Sequence, residues 1–195
     1  MKFSYKLAEG WHGTDDGKRW TTLKPHERLL LFSDGSMTLD LELLFGSRVE
    51  VELISKGFTP LPEDAARYIA VNAGKKAMER EVWLTANGKR LIYAQTLIPL
   101  DCLGPGLLET LEENSLEPLG RVLAARKIFF TKVRLEAGII ESAAAAGGFG
   151  VHESARLMGR RYVLEDSRDG RWVIKAALME VFSPEIIPAP AAGKG

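Results

Sequence analysis

Two charged side chains, Arg80 and Glu180, fall on strand faces that are otherwise apolar. The segment Arg171 to Phe182 is strand-like, and Glu180 is the only ionisable residue on its face. The other residues of that face are Trp172, Ile174, Ala176, Leu178 and Phe182. Arg80 likewise shares a face with Val82 and Leu84. Because a buried unpaired charge costs several kcal/mol, both groups need partners unless they lie at solvent-exposed strand ends. They form either a structural ion pair or the two ends of a closed polar site for a small anionic ligand.

A β-hairpin is predicted around Asn87-Gly88, because both central positions of a type I′ turn need positive φ. The strand-like runs on either side are residues 79–86 and 89–99. A two-residue turn sets three facing pairs, namely Leu84 with Leu91, Val82 with Tyr93, and Arg80 with Gln95. The register therefore predicts that Gln95 lies beside Arg80.

The remaining pattern predicts short helices and further strands. Helices are expected over residues 25–32, 107–113 and 119–125, and strands over 47–58 and 127–140. A second hairpin joins 162–165 to 171–182 through a five-residue turn, and the glycine-rich run 147–150 is expected to be a mobile loop. Hairpins with a few short helices, without regular βαβ alternation, indicate an α+β fold on one antiparallel sheet.

The chain is expected to be organised around a single domain. Its 195 residues are 46% apolar and 27% charged, which is enough to bury a sizeable core. The predicted domain covers residues 23–184, preceded by an N-terminal extension over 1–22 and followed by a flexible tail over 185–195.

Charge and cysteine content exclude several classes of protein. Lys and Arg together number 26, as do Asp and Glu, so no net positive charge favours nucleic acid or a membrane surface. The single Cys102 cannot form an internal disulfide, which predicts a reducing, cytoplasmic location. No signal-peptide or membrane-spanning segment is recognisable, and the three histidines are too scattered for a metal site.

Seven short motifs occur in one order and at compatible spacings. They are Leu23-Lys24-Pro25 leading to Ser36-Met37-Thr38; Gly57-Phe58; Arg80-Glu81 with Leu84 and Ala86-Asn87-Gly88; Thr96-Leu97-Ile98-Pro99; Pro118-Leu119-Gly120-Arg121; Gly159-Arg160-Arg161; and Glu180 followed by Phe182 and Pro184. With these motifs the chain resembles the chorismate lyase family, also called chorismate-pyruvate lyase or 4-hydroxybenzoate synthetase. The resemblance covers roughly residues 23–184.

The resemblance implies a compact α+β domain with an internal ligand cavity closed by loops. It implies conversion of chorismate to 4-hydroxybenzoate and pyruvate, without metal or organic cofactor, for quinone or related aromatic biosynthesis. The family's arginine and glutamate match Arg80 and Glu180, and the residues that offer backbone groups to the ligand match Met37 and Leu119. The expected partners are thus the small molecules chorismate and 4-hydroxybenzoate, and a monomer is expected.

Two departures from the family pattern affect the expected site. Relatives have Arg where this chain has Gln95, so a second cation is missing beside the expected site. One of four basic residues could supply the missing positive charge: Arg160, Arg161, Arg134 or Lys132. The segment 141–157 is longer and richer in Ala and Gly than in compact members, and forms either a flap over the cavity or an inert insertion.

Two other functions stay open at the level of sequence. A stand-alone small-molecule sensor is one, because effector domains of certain transcription regulators resemble the same fold. The other is a lyase that acts on a related chorismate-derived substrate or releases a different hydroxybenzoate, which Gln95 suggests.

Overall fold

An antiparallel sheet carries the fold. The computed structural model describes residues 5–17 and 19–190, and within them seven strands pair in the order β1-β5-β6-β7-β4-β3-β2. The strands are β1 (Lys6–His12), β2 (Glu50–Pro60), β3 (Lys76–Ala86), β4 (Lys89–Pro99), β5 (Thr131–Glu141), β6 (Arg156–Arg168) and β7 (Arg171–Phe182). Every neighbouring pair is antiparallel, which confirms the predicted α+β class.

Short helices cover both faces of the sheet. In the described chain they are α1 (Pro25–Phe32), α2 (Met37–Phe45), α3 (Glu63–Ile69), α4 (Leu107–Glu113), α5 (Leu119–Ala125) and α6 (Ala143–Gly148). Helices α1, α2, α4 and α5 pack on the face that carries Val82, Leu84 and Leu178. Helices α3 and α6 pack on the opposite face, against Leu97 and Trp83 respectively. None of these helices has the length and apolar character to cross a membrane.

The predictions of α1, α4 and α5 are confirmed, whereas α2, α3 and α6 were not anticipated. Helix α2 begins at a Ser36 N-cap, whose hydroxyl oxygen accepts the N–H of Leu39 at 3.3 Å. It ends at Gly46, whose positive φ of 62° is the left-handed conformation common after a helix. Met37, the first residue of α2, is thereby fixed over the sheet.

The Asn87-Gly88 hairpin is confirmed, but the predicted register of its strands is wrong. Thr85 faces Arg90 as expected, and then a β-bulge inserts Leu91 as an extra residue in β4. Beyond the bulge the facing pairs are Leu84 with Ile92, Val82 with Ala94, Arg80 with Thr96, and Glu81 with Gln95. Because a slip of one residue moves side chains to the other face, Gln95 lies on the side of the sheet away from Arg80.

The second hairpin is tighter than predicted. Strands β6 and β7 continue to Arg168 and Arg171, so the turn contains only Asp169 and Gly170. Both turn residues have positive φ, 51° and 73°, as a type I′ turn requires.

Described residues of both predicted terminal segments take part in the fold. Within the predicted extension 1–22, β1 pairs with β5 along the sheet edge, and Trp20 is buried in the core. Within the predicted tail 185–195, Ile186 and Ile187 are buried, while 191–195 lie outside the described residues.

The segment 141–157 is ordered as a cover on the sheet. The prediction of a mobile loop over 147–150 is wrong, because α6 runs to Gly148 and the following Phe149 packs edge-to-face on Trp83 at 5.0 Å between ring centroids. Gly148 lies so close to Trp83 that an added Cβ would come within 2.1 Å of the ring, so only glycine fits here.

We expect Gly148→Ala to lower the free energy of unfolding by about 1–3 kcal/mol, because the new methyl group displaces the Trp83 ring. Gly147→Ala is the matched control: no atom lies within 4 Å of its added Cβ, so stability should stay unchanged or rise slightly. Urea unfolding followed by circular dichroism measures both. Equal stability of the two variants would contradict the packing of α6 on Trp83.

Candidate functional site

A cavity lies between the sheet and the first turns of α2 and α5. Its volume is about 70 Å³. Its lining comprises residues 35–38 before and within α2, residues 118–120 at α5, Phe130 and Lys132 near and on β5, Tyr162 and Leu164 on β6, Leu178 and Glu180 on β7, Ala94 and Thr96 on β4, and Arg80, Val82 and Leu84 on β3. Four predicted site residues, Arg80, Glu180, Met37 and Leu119, therefore meet in one cavity.

Arg80 enters the cavity as a buried cation held by carbonyl groups. Its Nη2 donates to the carbonyl oxygens of Ser115 at 2.7 Å and Glu117 at 2.9 Å. Its Nε has no hydrogen-bond partner among the described residues. Burial lowers the pKa of Arg80 to about 10, so the guanidinium remains charged at neutral pH. Since carbonyls fix the group without neutralising it, its charge is available to an anion.

Glu180 is paired with Arg160, and not with Arg80. Arg160 Nε donates to Glu180 Oε2 at 2.5 Å, and the Tyr162 hydroxyl donates to Oε1 at 3.1 Å. Burial alone would raise the pKa of Glu180, but the charges of Arg160 and Lys132 and the two hydrogen bonds hold it below the usual value. The carboxylate is therefore ionised at neutral pH, and the predicted structural ion pair with Arg80 is absent among the described residues.

Arg160 also holds the end of helix α1 in place. The side chain is fully buried, and its Nη1 donates to the carbonyl oxygens of Leu30 at 2.9 Å and Ser33 at 3.1 Å. A cation at a helix C-terminus satisfies carbonyls that have no intrahelical donor. One side chain thus connects Glu180 to the loop that leads into α2.

Lys132 is the second cation that lines the cavity. Its Nζ donates to the carbonyl oxygens of Gly35 at 2.5 Å and Ser33 at 3.3 Å, and it lies 5.0 Å from the centre of the Tyr162 ring. Burial, and then the charge of Arg160, lower the pKa of Lys132 to about 8.

The other expected substitutes for a second cation lie elsewhere. Arg161 lies on the opposite face, where it stacks on Trp11 and Tyr68, and its Nε donates to Glu136 at 2.7 Å. Arg134 likewise stacks on Tyr68. Gln95 donates to Glu79 Oε1 at 2.9 Å on that face. The segment 141–157 contributes no residue to the described cavity lining, so the flap interpretation is wrong.

Backbone groups add to the positive character of the cavity. Met37 and Leu119 are the first residues of α2 and α5. The N–H groups of a first helical turn have no acceptor within the helix, and they carry a partial positive charge.

Sequence reasoning missed Tyr162 and the pairing of Arg160 with Glu180. Tyr162 lies two residues after Arg160 on the same strand face, and Arg160 faces Glu180 directly across the β6–β7 pair. Recognition of Asp169-Gly170 as the turn would have brought these strands close to the correct register.

The cavity suits a small anion with an apolar ring. Two cations and two helix starts favour carboxylates, while the walls of Val82, Phe130 and Leu178 are apolar. Within its pair with Tyr162, the ionised Glu180 can still accept a hydrogen bond from a ligand hydroxyl group. In the described part of the chain, no three His, Cys, Asp or Glu side chains are grouped as metal ligands.

Comparison with known proteins identifies related sequences. The family model described as chorismate pyruvate-lyase Rv2949c-like matches residues 31–189. The chorismate pyruvate-lyase of Enterobacter sp. (strain 638) is 31% identical over 146 residues, which are 74% of this chain and 82% of that protein. The probable chorismate pyruvate-lyase of Methylococcus capsulatus is 32% identical over 98 residues, 50% of this chain and 59% of that protein. The corresponding protein of Marinobacter nauticus is 37% identical over 98 residues, 49% of this chain and 50% of that protein. The chain thus spans little more than half of the length of the latter two relatives.

Solved structures with the same fold include PhnF and its effector domain. PhnF from Mycobacterium smegmatis superposes with a TM-score of 0.62 and 21% identity, covering 83% of this chain and 69% of that chain. Its effector domain gives a TM-score of 0.60 and 19% identity, covering 83% of this chain and 96% of that chain. At this level of identity the likeness shows the fold alone.

We expect Arg160→Met to lower the free energy of unfolding by about 3–5 kcal/mol, because it leaves Glu180 buried without a cation. The double variant Arg160→Met, Glu180→Leu should recover most of that loss, since both charges are then removed together. Chemical unfolding of the two variants measures the difference. If the double variant is less stable than Arg160→Met alone, the pair does not act as described.

Proposed function

The chain belongs to the Rv2949c-like family of chorismate pyruvate-lyases, and we propose on this basis that it converts chorismate into 4-hydroxybenzoate and pyruvate. The observation that carries the proposal is the cavity itself. It combines cations for the carboxylates of the substrate with the Glu180 and Tyr162 pair for its hydroxyl group. The 4-hydroxybenzoate formed would serve as a precursor of quinones or related aromatic compounds.

The reaction needs little from the protein beyond position and exclusion of water. Chorismate carries a ring carboxylate, a ring hydroxyl and an enolpyruvyl ether with its own carboxylate. Cleavage of the ether C–O bond and loss of the hydrogen from the hydroxyl-bearing carbon as a proton leave an aromatic ring and enolpyruvate. Addition of one proton at the methylene carbon of the enolpyruvate gives pyruvate, so the proton lost and the proton gained balance. Because aromatisation supplies the driving force, a cavity that holds the reactive conformer away from solvent accelerates the reaction.

Arg80 is the proposed partner of the ring carboxylate. The backbone N–H groups at Met37 and Leu119 lie at the same cavity, and they support a negative charge there. A guanidinium held by two carbonyls keeps its orientation before the ligand arrives, so binding costs less conformational entropy.

Glu180 and Tyr162 are the proposed partners of the ring hydroxyl. The Tyr162 hydroxyl already occupies Glu180 Oε1 at 3.1 Å, so the ligand hydroxyl would join an existing hydrogen-bonded pair. Ionised Glu180 orients the ring and stabilises the positive charge that develops on the ring as the ether bond breaks, before the hydrogen leaves the hydroxyl-bearing carbon.

A second candidate function is ligand binding without catalysis. It is supported by the shared fold with the effector domain of Mycobacterium smegmatis PhnF. The alternative of a lyase that releases a different hydroxybenzoate loses its support, because Gln95 lies on the face of the sheet opposite the cavity.

Incubation of the purified protein with chorismate, without added metal, should give pyruvate and 4-hydroxybenzoate in equal amounts, as measured by chromatography.

We expect Glu180→Gln to lower the turnover of chorismate on the order of 10²- to 10³-fold, because the variant loses the negative charge of the carboxylate. Arg80→Met should weaken the binding of chorismate and the binding of 4-hydroxybenzoate to a similar extent, because both compounds carry the ring carboxylate. Glu165→Gln, outside the cavity, is the control and should behave as wild type.

Three other results would separate the alternatives. Unchanged chorismate together with a higher melting temperature in 4-hydroxybenzoate would indicate a binding domain. A different hydroxybenzoate would indicate a related lyase. Absence of both turnover and stabilisation would contradict both candidate functions.

A further inference from the structure

We propose that Lys132 forms a second carboxylate subsite in the cavity, which holds the carboxylate that leaves as pyruvate. The inference rests on the proposed function and deepens it, since it assigns a separate cation to each carboxylate of the substrate.

The charges that line the cavity match a ligand with two carboxylates better than a ligand with one. The negative charge of Glu180 is already balanced by Arg160 at 2.5 Å. Arg80 and Lys132 remain, and neither forms an ion pair with any carboxylate of the described residues. Two cations that lack carboxylate partners in one cavity fit a dianion better than a monoanion such as 4-hydroxybenzoate.

The positions of the two cations fit the layout of the substrate. Arg80 lies on β3 and Lys132 on β5, and three strands separate β3 from β5 in the sheet. Tyr162 and Glu180, the proposed partners of the ring hydroxyl, lie on β6 and β7 between them. Lys132 Nζ is 5.0 Å from the Tyr162 ring, so it belongs to the hydroxyl end of the cavity. In chorismate the enolpyruvyl ether is attached next to the hydroxyl-bearing carbon, whereas the ring carboxylate lies across the ring.

The hydrogen bonds of Lys132 leave one donor for a ligand. An ammonium group has three N–H donors, and two of them point to the carbonyl oxygens of Ser33 and Gly35. These contacts hold Nζ at the cavity wall without cancelling its charge. A carboxylate can therefore take the third donor.

The subsite predicts a pH dependence of catalysis. The charged or titratable groups around Lys132 are Arg160 and Tyr162 on β6, Glu180 on β7, Asp40 on α2 and Asp34 in the loop before α2. Because burial and Arg160 lower the pKa of Lys132 to about 8, the ammonium is present at pH 7 and is lost as the pH rises through that value. We expect kcat/KM for chorismate to fall between pH 7 and 9 in the wild type.

The test compares a ligand with two carboxylates and a ligand with one. Lys132→Met should raise KM for chorismate roughly 10- to 100-fold, as expected for loss of a charge-assisted hydrogen bond. The inhibition constant for 4-hydroxybenzoate should change less than about threefold, because that ligand lacks the second carboxylate. Lys132→Arg should retain most of the affinity and remove the decline of kcat/KM near pH 8.

Lys56→Met is the matched control. Lys56 also donates to a backbone carbonyl, that of Glu112 at 3.0 Å, but it does not line the cavity. Its kinetics should equal those of the wild type, and melting temperatures confirm that all variants are folded. Where Lys132→Met does not fold, the pH profile of Lys132→Arg still decides.

The outcomes distinguish failure of this inference from failure of the proposed function. Suppose that the wild type releases pyruvate, and that Lys132→Met weakens the binding of chorismate and of 4-hydroxybenzoate equally or leaves both unchanged. The proposed second subsite is then wrong. If the wild type binds chorismate without turnover, calorimetric affinities for the same two ligands give the same comparison. If the wild type binds neither ligand, both the function and the subsite are rejected.

Discussion

The buried pair of Arg160 and Glu180 is the interaction on which the cavity depends. Two charges removed from water are tolerated where further hydrogen bonds satisfy most of their remaining donors and acceptors, and within the described residues Arg160 Nη2 lacks a partner. Here the partners come from separate parts of the chain, namely the carbonyls at the end of α1 and the hydroxyl of Tyr162. Because Arg160 fixes the end of α1, it also fixes the short loop that follows and the start of α2 at Met37. A buried side chain of β6 thus positions the start of α2, which lines the cavity.

The chain uses two different ways to hold cations, and the sheet separates them. On the cavity face, Arg80 and Lys132 are held by carbonyl oxygens, which direct the side chain but leave its charge uncompensated. On the opposite face, Arg161 is neutralised by Glu136 and stacked on aromatic rings. The first arrangement leaves the charge uncompensated, as the proposed binding of an anion requires, whereas the second neutralises the charge within the fold.

Local signals in the sequence were sufficient for the helices α1, α4 and α5, for the antiparallel hairpins, and for the faces of Arg80 and Glu180. Strand alternation identified those two residues because a charge on an apolar face stands out whatever its partner is. Helix α2 was missed because Met37 to Phe45 is apolar at most positions and shows no clear helical period. The position of Gln95 could not be derived, because the bulge at Leu91 has no local residue signature.

The hydrogen bond from Arg160 to the Leu30 carbonyl joins residues 130 positions apart in the chain. Such a contact contributes nothing until the sheet and the first helix have both formed, since the intervening loop must first be closed at an entropic cost. We therefore expect the cavity to be completed late in folding. A small acid that occupies it recognises only fully assembled molecules, so its binding reports the native fraction of a preparation more strictly than helix or strand content does.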